Sequence, residues 1–488
     1  MAKTGVIYGI NGPVVSLLGD SGFQMNEMVH VGQEKLVGEV IGLNSEKTTI
    51  QVYEETSGIK PGEIVTGTGA PVSVTLAPGI LSNIFDGIER PLSEIAKGSG
   101  YYISRGISVN SLDTDKKWDT HMVVKEGDRI MPGTIIAEVP ETRAITHKVM
   151  APPDAEGYVL TVVPDGRYTI EEPLLTLQLM DGTERTLTMT QKWPIRVARP
   201  SARRFPAVKP LITGQRILDT MFPLAKGGTA AIPGGFGTGK TMTQHQVAKW
   251  SDADVIIYIG CGERGNEMTQ VLEEFSELID PKTGNPLMDR TTLIANTSNM
   301  PVAAREASLY SGLTLAEYYR DMGYHVAIMA DSTSRWAEAL RELSGRLEEM
   351  PAEEGFPAYL ASRLSAFYER AGMMQNLNGT EGSVTIIGAV SPQGGDFSEP
   401  VTMNTKRFVR CFWGLDKSLA YARHFPAIHW LTSYSEYIND LAPWYTDHVS
   451  KKFVDYRNRL MALLNQESNL MEIVKLIGAD VLPDDQKL

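Results

Sequence analysis

The stretch Thr229–Thr243, TAAIPGGFGTGKTMT, decides the central fold of this chain. It begins with a short apolar run, Ala230–Ile232, that is typical of a buried strand, and it ends in residues that start a helix. Between them lies a complete G-x-x-x-x-G-K-[ST] motif, whose glycines let backbone N–H groups turn toward phosphate oxygens. A chance glycine-rich turn is the alternative, and the flanking strand and helix argue against it. The motif predicts a nucleoside triphosphate site formed by Gly234, Gly235, Phe236, Gly237, Thr238, Gly239, Lys240 and Thr241.

The two residues that close the motif carry the chemistry. Lys240 is placed to reach the β- and γ-phosphates, and the hydroxyl of Thr241 is placed to ligate Mg²⁺. We therefore expect a nucleoside triphosphate as the ligand, with Mg²⁺ as the cofactor.

The composition indicates a globular protein with several domains. At 488 residues the chain is too long for one core, and about two to four domains are expected. Its formal charge of −13 argues against a nucleic-acid partner. The two cysteines suggest a reducing compartment and no disulfide framework. Because the first residues do not resemble a signal peptide and no apolar run reaches the roughly 18 residues that span a bilayer, we expect a cytoplasmic protein that reaches a membrane only through partner chains.

The pattern along the chain predicts a multidomain α/β protein. Short alternating strands with glycine turns predict an N-terminal β-barrel over residues 1–75, followed by a connector over 76–100 and a β-rich insert over 101–190. Strands and helices then alternate, which predicts a nucleotide-binding domain over 191–425 with a mainly parallel sheet covered on both faces. Residues 426–488 are predicted to form a helical domain.

A carboxylate follows one of the predicted strands of that sheet. Asp331 comes directly after the apolar run Val326–Ala330, and ligands of parallel sheets bind at the carboxyl ends of the strands. Asp331 could hold the water shell of Mg²⁺, or it could simply cap the next helix, as Asp331-Ser332-Thr333 would allow. The phosphate loop favours the metal role.

A second pair of charged residues follows another strand. Glu263 and Arg264 lie just after Val255–Ile259, again at a carboxyl end. Glu263 could orient and partly deprotonate a water molecule, and Arg264 could offset charge on the phosphoryl oxygens. A surface ion pair is an equally good interpretation of the local sequence. The histidines His245, His325, His424 and His429 lack the spacing of metal ligands and are expected in core or surface roles.

Five stretches, taken together and in order, resemble one family. They are PGGFGTGKTMTQHQVAKW, IGCGERGNEMTQVLEEF, MADSTSRWAEALRE, SPQGGDFSEPV and RHFPAIHW. They are similar to the catalytic A subunits of V-type and A-type rotary ATPases, and the insert at about 101–190 resembles the bulge of that family. The resemblance implies hydrolysis or synthesis of ATP, coupled to proton or sodium transport through a separate membrane sector.

The resemblance also implies roles for particular residues. Glu263 matches the general base, Arg264 the arginine at the γ-phosphate, and Asp331 the carboxylate of the magnesium shell. Lys240 and Thr241 match the phosphate-loop pair. Phe425, which would otherwise be assigned to the core, matches the aromatic residue that packs on the adenine ring.

The partners implied by the resemblance are other subunits. They are a non-catalytic B subunit, which alternates with this chain in an A3B3 hexamer and donates an arginine finger, a central rotor stalk and a peripheral stalk. The stretch Leu347–Tyr359 resembles the loop that faces the rotor. The family places such a chain on the cytoplasmic face of a membrane, held there by its partners.

Two features depart from the family pattern, and two other functions stay open. Thr238 stands where some relatives carry cysteine, so thiol-based inhibition cannot be transferred, and the chain ends sooner than expected, which predicts an incomplete C-terminal domain. The alternatives are a related hexameric motor, either a secretion-type ATPase or an RNA translocase, and a non-enzymatic nucleotide-binding component of a ring. The acidic charge and the insert weigh against RNA translocation.

Overall fold

The N-terminal region is a closed six-stranded barrel. The computed structural model describes residues 3–100, 103–478 and 482–487. The barrel strand order is β1-β2-β5-β4-β3-β6, and β1 pairs with β6 to close it. Alternate side chains point inward and form a separate small core that includes Val15, Leu17, Val29 and Ile50. Its strands are β1 (Thr4–Asn11), β2 (Val14–Leu18), β3 (Glu27–Val31), β4 (Leu36–Leu43), β5 (Lys47–Val52) and β6 (Ile64–Pro71).

The insert consists of two four-stranded antiparallel sheets, with orders β10-β13-β15-β16 and β12-β11-β9-β14. It is preceded by β7 (Ser73–Leu76), β8 (Ile84–Phe85) and α1 (Leu92–Ser99). The insert strands are β9 (Trp118–Met122), β10 (Arg129–Ile130), β11 (Ile135–Pro140), β12 (Thr146–Met150), β13 (Gly157–Val162), β14 (Gly166–Tyr168), β15 (Leu175–Leu179) and β16 (Glu184–Leu187). The chain returns through β17 (Gln191–Pro194), which pairs with β7, so the segments before and after the insert lie side by side.

A buried polar cluster fixes the insert to the nucleotide-binding domain. The Glu141 carboxylate accepts hydrogen bonds from the Leu81 N–H (3.1 Å) and the Tyr319 hydroxyl (2.9 Å), and it lies 2.8 Å from His147 Nδ1. Burial alone would raise the pKa of Glu141, but His147 and the N–H donors outweigh it and lower that pKa. The carboxylate therefore remains ionised and fully paired inside this interface.

The central domain is built on a largely parallel sheet, as the alternating pattern predicted. Strands β27, β21, β26, β24, β22, β23 and β8 run parallel in that order, and β28 and β25 pair antiparallel with the sheet. The elements are β18 (Arg203–Phe205), β19 (Pro210–Leu211), α2 (Arg216–Met221), β20 (Leu224–Ala225), β21 (Thr229–Pro233), α3 (Lys240–Trp250), β22 (Val255–Cys261), α4 (Gly265–Glu277), β23 (Thr291–Asn296), α5 (Val302–Asp321), β24 (His325–Asp331), α6 (Thr333–Arg346), α7 (Leu360–Glu369), β25 (Gly372–Gln375), β26 (Glu381–Val390), α8 (Pro400–Phe408), β27 (Cys411–Phe412), α9 (Lys417–Tyr421) and β28 (Tyr434–Ser435).

The two faces of this sheet have different cores because side chains alternate along each strand. In β22, Ile257 and Ile259 pack with α5 and α6 on one face. Ile256 and Tyr258 pack with α3 and α4 on the other. Tyr258 is thereby directed under the helix that follows the phosphate loop.

The expected domain limits remain predictions, and two strands of the central sheet lie outside the expected range 191–425. β8, from the expected connector, adds to the edge of the central sheet beside β23, and β28 lies beyond residue 425 but pairs with β27. We therefore propose that the nucleotide-binding domain includes residues 84–85 and extends to about residue 437.

The chain ends in helices α10 (Ile438–His448), α11 (Phe453–Ile477) and α12 (Asp484–Lys487). α11 buries none of its side chains, although Leu463 and Leu476 are apolar. Among the residues that the structure describes, no helix has both the length and the apolar character needed to cross a membrane.

Candidate nucleotide and metal site

The phosphate loop connects β21 to α3 at the carboxyl edge of the sheet. Gly237 and Gly239 have φ values of 77° and 87°, a conformation in which a side chain would be strained. Lys240 begins α3, and its Nζ donates hydrogen bonds to the carbonyl oxygens of Gly234 (2.9 Å) and Gly235 (3.3 Å). Burial lowers the pKa of Lys240, and the nearby carboxylates of Asp331 and Glu263 counteract that effect. The ammonium group thus lies across the mouth of the loop.

Thr238 and Phe236 occupy opposite environments within the loop. Thr238 is buried, and its hydroxyl donates a hydrogen bond of 2.7 Å to the Gly235 carbonyl, so it stiffens the loop. The side chain of Phe236 is 85% exposed, and the Arg264 guanidinium lies 6.0 Å from the centre of its ring. Phe236 therefore forms part of the rim of the loop.

Asp331 lies beside the start of α3. It is the last residue of β24, it is buried, and its Oδ2 accepts hydrogen bonds from Thr241 Oγ1 (2.7 Å) and the Tyr258 hydroxyl (3.1 Å). The cap position of α6 is Ser332, and no side chain makes a capping hydrogen bond there. The carboxylate is thus directed toward the phosphate loop and not toward the first turn of α6.

Glu263 and Arg264 form the turn between β22 and α4, and Arg264 is the residue before the helix. Glu263 is half-buried, and burial, helped by the charge of Asp331 and by Glu267, raises the pKa of its carboxyl group to about 8. In the described parts of the chain neither Glu263 nor Arg264 forms an ion pair, so the surface ion-pair interpretation gains no support.

One cavity of 610 Å³ brings most of these residues together. It is lined by Lys240, Thr241, Glu263, Arg264 and Asp331, together with loop residues Phe236, Gly237 and Gly239. Gly234, Gly235 and Thr238 lie in the same loop behind this lining. Within the described ranges, no group of three His, Cys, Asp or Glu side chains forms a complete metal cage.

Phe425 lies at the edge of the loop and outside the cavity lining. Its side chain is 61% exposed, and a Cβ atom at Gly239 would lie 3.8 Å from its ring. An aromatic face is therefore available next to the phosphate loop, where a base could stack.

Several side chains of this site were not predicted from the sequence. Arg335, on the first turn of α6, Tyr258 and His245 line the same cavity. Arg335 could have been found, because it lies in the first turn of the helix that follows Asp331 at the carboxyl edge of the sheet. His245 and Tyr258 are brought to the site by packing between separate elements, for which the sequence holds no local signal.

Comparison with known families matches nearly the whole chain. Residues 214–435 match the nucleotide-binding domain of the ATP synthase alpha/beta family, 7–69 its beta-barrel domain and 109–196 its barrel-sandwich domain. Residues 442–488 match the C-terminal domain of V and A type ATP synthase.

Individual proteins agree with the family matches. The chain is 62% identical to the V-type ATP synthase alpha chain of Halothermothrix orenii (100% of this chain, 83% of the relative) and 63% identical to alpha chain 2 of Clostridium tetani (99% and 82%). It is 58% identical to the A subunit of the A-type ATP synthase of Methanopyrus kandleri (99% and 82%).

The fold is also that of a solved structure, the assembled ATPase EscN from the type III secretion system of enteropathogenic E. coli. That structure has a TM-score of 0.69 and 20% identity, and the match covers 99% of this chain and 91% of EscN. At this identity the likeness concerns the fold alone. The fold class and the family predicted from the sequence are confirmed, and the chain belongs to the A (alpha) subunits of V-type and A-type ATP synthases.

Proposed function

We propose that this chain is the catalytic subunit of a rotary V/A-type ATPase, which hydrolyses or synthesises Mg-ATP and is coupled to proton or sodium transport through a separate membrane sector. The observation that carries the proposal is the hydrogen bond between Thr241 and Asp331 at the mouth of a complete phosphate loop. Glu263 and Arg264 line the same cavity, so groups for binding and for chemistry converge.

The residues fit a magnesium ion. Thr241 and Asp331 supply hard oxygen donors 2.7 Å apart beside the loop, and Mg²⁺ is bound by one or two protein oxygens, substrate phosphates and water. When bound, the ion would neutralise charge on the β- and γ-phosphates. Thr241 would be the direct ligand, and Asp331 would accept hydrogen bonds from its water shell.

The side chains of this chain perform the remaining tasks. The loop N–H groups and Lys240 hold the phosphates, and Arg264 offsets the charge that gathers on the γ-phosphoryl oxygens. Glu263, as a carboxylate, orients the attacking water and accepts its proton. Phe425 stacks on the adenine ring. Transfer of the γ-phosphoryl group to this water produces ADP and phosphate.

We further propose that the site is completed by a neighbouring chain. In an alternating A3B3 ring, a B-type neighbour would supply an arginine finger to the open side of the cavity. The loop at Leu347–Tyr359 would face the central stalk. A peripheral stalk and the membrane sector would hold the assembly at the cytoplasmic face of a membrane.

The test is reconstitution. The chain is mixed with the B-type subunit of the same complex, and the mixture is analysed for alternating hexamers and for Mg-dependent ATP hydrolysis. We expect both. Hexamers that bind ATP tightly and never turn it over would contradict the proposal and favour a non-enzymatic ring component, whereas RNA-stimulated hydrolysis without the B-type subunit would favour a translocase.

A further inference from the structure

The cavity continues beyond the phosphate loop into a crevice between α3 and α4. Its walls include His245 from α3 and Glu274 from α4. His245 Nδ1 lies 2.8 Å from Glu274 Oε2, and the other oxygen of Glu274 accepts a hydrogen bond of 2.8 Å from Gln270. A carboxylate only accepts, so Nδ1 carries the hydrogen in this contact. We call this hydrogen bond between His245 and Glu274 the α3–α4 bridge.

His245 is packed between aromatic rings. It is buried, and its ring centre lies 5.1 Å from that of Phe275 and 5.6 Å from that of Tyr258, both edge-on. Burial lowers the pKa of His245, so its ring is neutral at physiological pH. His245 therefore contacts strand β22 through Tyr258 and helix α4 through Phe275 and Glu274.

His245 is linked to two parts of the proposed active site, Asp331 and the turn of Glu263 and Arg264. Tyr258, on which His245 packs, donates its hydroxyl hydrogen to Asp331. Helix α4, which the bridge holds, begins directly after Arg264. Because a helix moves nearly as a rigid rod, a shift of α4 also shifts the turn of Glu263 and Arg264 that precedes it.

We infer that His245 is a positioning residue: the α3–α4 bridge fixes the turn of Glu263 and Arg264 relative to the phosphate loop. This inference rests on the proposed function, since it concerns the same reaction. Without the bridge, α4 keeps its apolar contacts with the sheet but loses the polar restraint that sets its distance from α3. Turnover falls, because a general base and an arginine act only within hydrogen-bond reach.

The test is a double-mutant cycle in the reconstituted hexamer. His245→Leu and Glu274→Ala each remove the bridge, and His245→Asn keeps an N–H donor close to the position of Nδ1. Glu273→Ala, an exposed neighbour on the same helix, is the matched control. The kcat is expressed per bound nucleotide, so that a misfolded fraction does not count, and KM for Mg-ATP is measured alongside.

We expect each single variant to lower kcat about tenfold with KM unchanged within about twofold, and the double variant to lose no more than either single one. His245→Asn recovers most of the turnover, and the control equals wild type. Losses that multiply in the double variant, or a control that loses as much as Glu274→Ala, would overturn the inference.

Two further outcomes separate this inference from the function it rests on. If His245→Leu does not fold, Glu274→Ala against Glu273→Ala decides, because the Glu274 side chain is 31% exposed and tolerates truncation. Wild-type hexamers that hydrolyse ATP no faster than the variants overturn the inference alone. Wild-type hexamers without any hydrolysis overturn the proposed function, and the inference with it.

Discussion

The hydroxyl of Thr241 donates a hydrogen bond of 2.7 Å to Oδ2 of Asp331, and the two residues are 90 positions apart in the sequence. One residue lies in the first turn of helix α3 and the other ends strand β24, so the contact joins the phosphate loop to a strand tip two positions away in the sheet. Parallel strands bring their carboxyl ends to one edge, which is why residues so distant in the chain meet here. The contact brings two side-chain oxygen atoms together beside the phosphate loop.

Replacement of Asp331 by Asn should weaken the affinity for magnesium. The amide keeps the shape and an oxygen acceptor but removes the charge that attracts the hydrated cation, so the Mg²⁺ concentration for half-maximal ATPase activity should rise at least about tenfold. The measurement is a magnesium titration of the reconstituted hexamer at saturating ATP.

The control for this titration is Asp396→Asn. Asp396 is an exposed carboxylate that accepts hydrogen bonds from Ser398. An unchanged magnesium dependence in Asp331→Asn would remove Asp331 from the metal site.

Replacement of Glu263 by Gln should separate binding from turnover. Gln occupies the same volume and can still touch water, but it cannot accept the proton, so kcat should fall by about a hundredfold or more while the Kd for Mg-ATP stays within about threefold. Steady-state hydrolysis and equilibrium binding in the same hexamer check both parts. Near-normal hydrolysis by this variant would exclude Glu263 as the base.

The fold was predictable wherever the signal was local. The phosphate loop is one continuous stretch of sequence, and so is the strand Val326–Ala330 with the residue that follows it. The parallel sheet then brings Lys240 and Asp331 to one edge. The addition of Ile84–Phe85 to the sheet could not be predicted, because a two-residue strand has no periodicity and is defined by its partner, β23. Tyr258 was predicted only as part of an apolar strand. Its approach to Asp331 depends on which face of the sheet it points to.

The raised pKa of Glu263 should be visible in the stability of the protein without nucleotide or metal. Burial and nearby acidic groups raise this pKa from 4.5 to about 8, so between these values the folded protein binds the proton more tightly than the unfolded chain does. The free energy of unfolding therefore falls as pH rises through this window. The Glu263→Gln variant stays neutral throughout. Its free energy of unfolding, relative to that of wild type, should therefore increase by roughly 1 to 2 kcal/mol between pH 5 and pH 8.5, after allowance for solvent screening.

Thermal unfolding at several pH values measures this difference. The control is Glu273→Gln, which replaces an exposed carboxylate of α4 that does not line the cavity. If the Glu263→Gln curve runs parallel to that of wild type, the carboxyl group titrates as it does in the unfolded chain.

Phe425 should contribute to the affinity for the base and not for the phosphates. Phe425 is 61% exposed beside Gly239, and stacking of a base on an aromatic ring contributes about 1 to 3 kcal/mol. Phe425→Ala should therefore raise the Kd for ATP by about tenfold, and it should leave the Kd for inorganic tripolyphosphate, which has no base, within about twofold of wild type. Isothermal titration of the protein with each ligand measures both values.

The matched control is Tyr421→Ala, because Tyr421 is an 85% exposed aromatic residue on α9. This variant should change neither Kd. Equal losses for the two ligands in Phe425→Ala would mean that the ring supports the loop and does not contact the base.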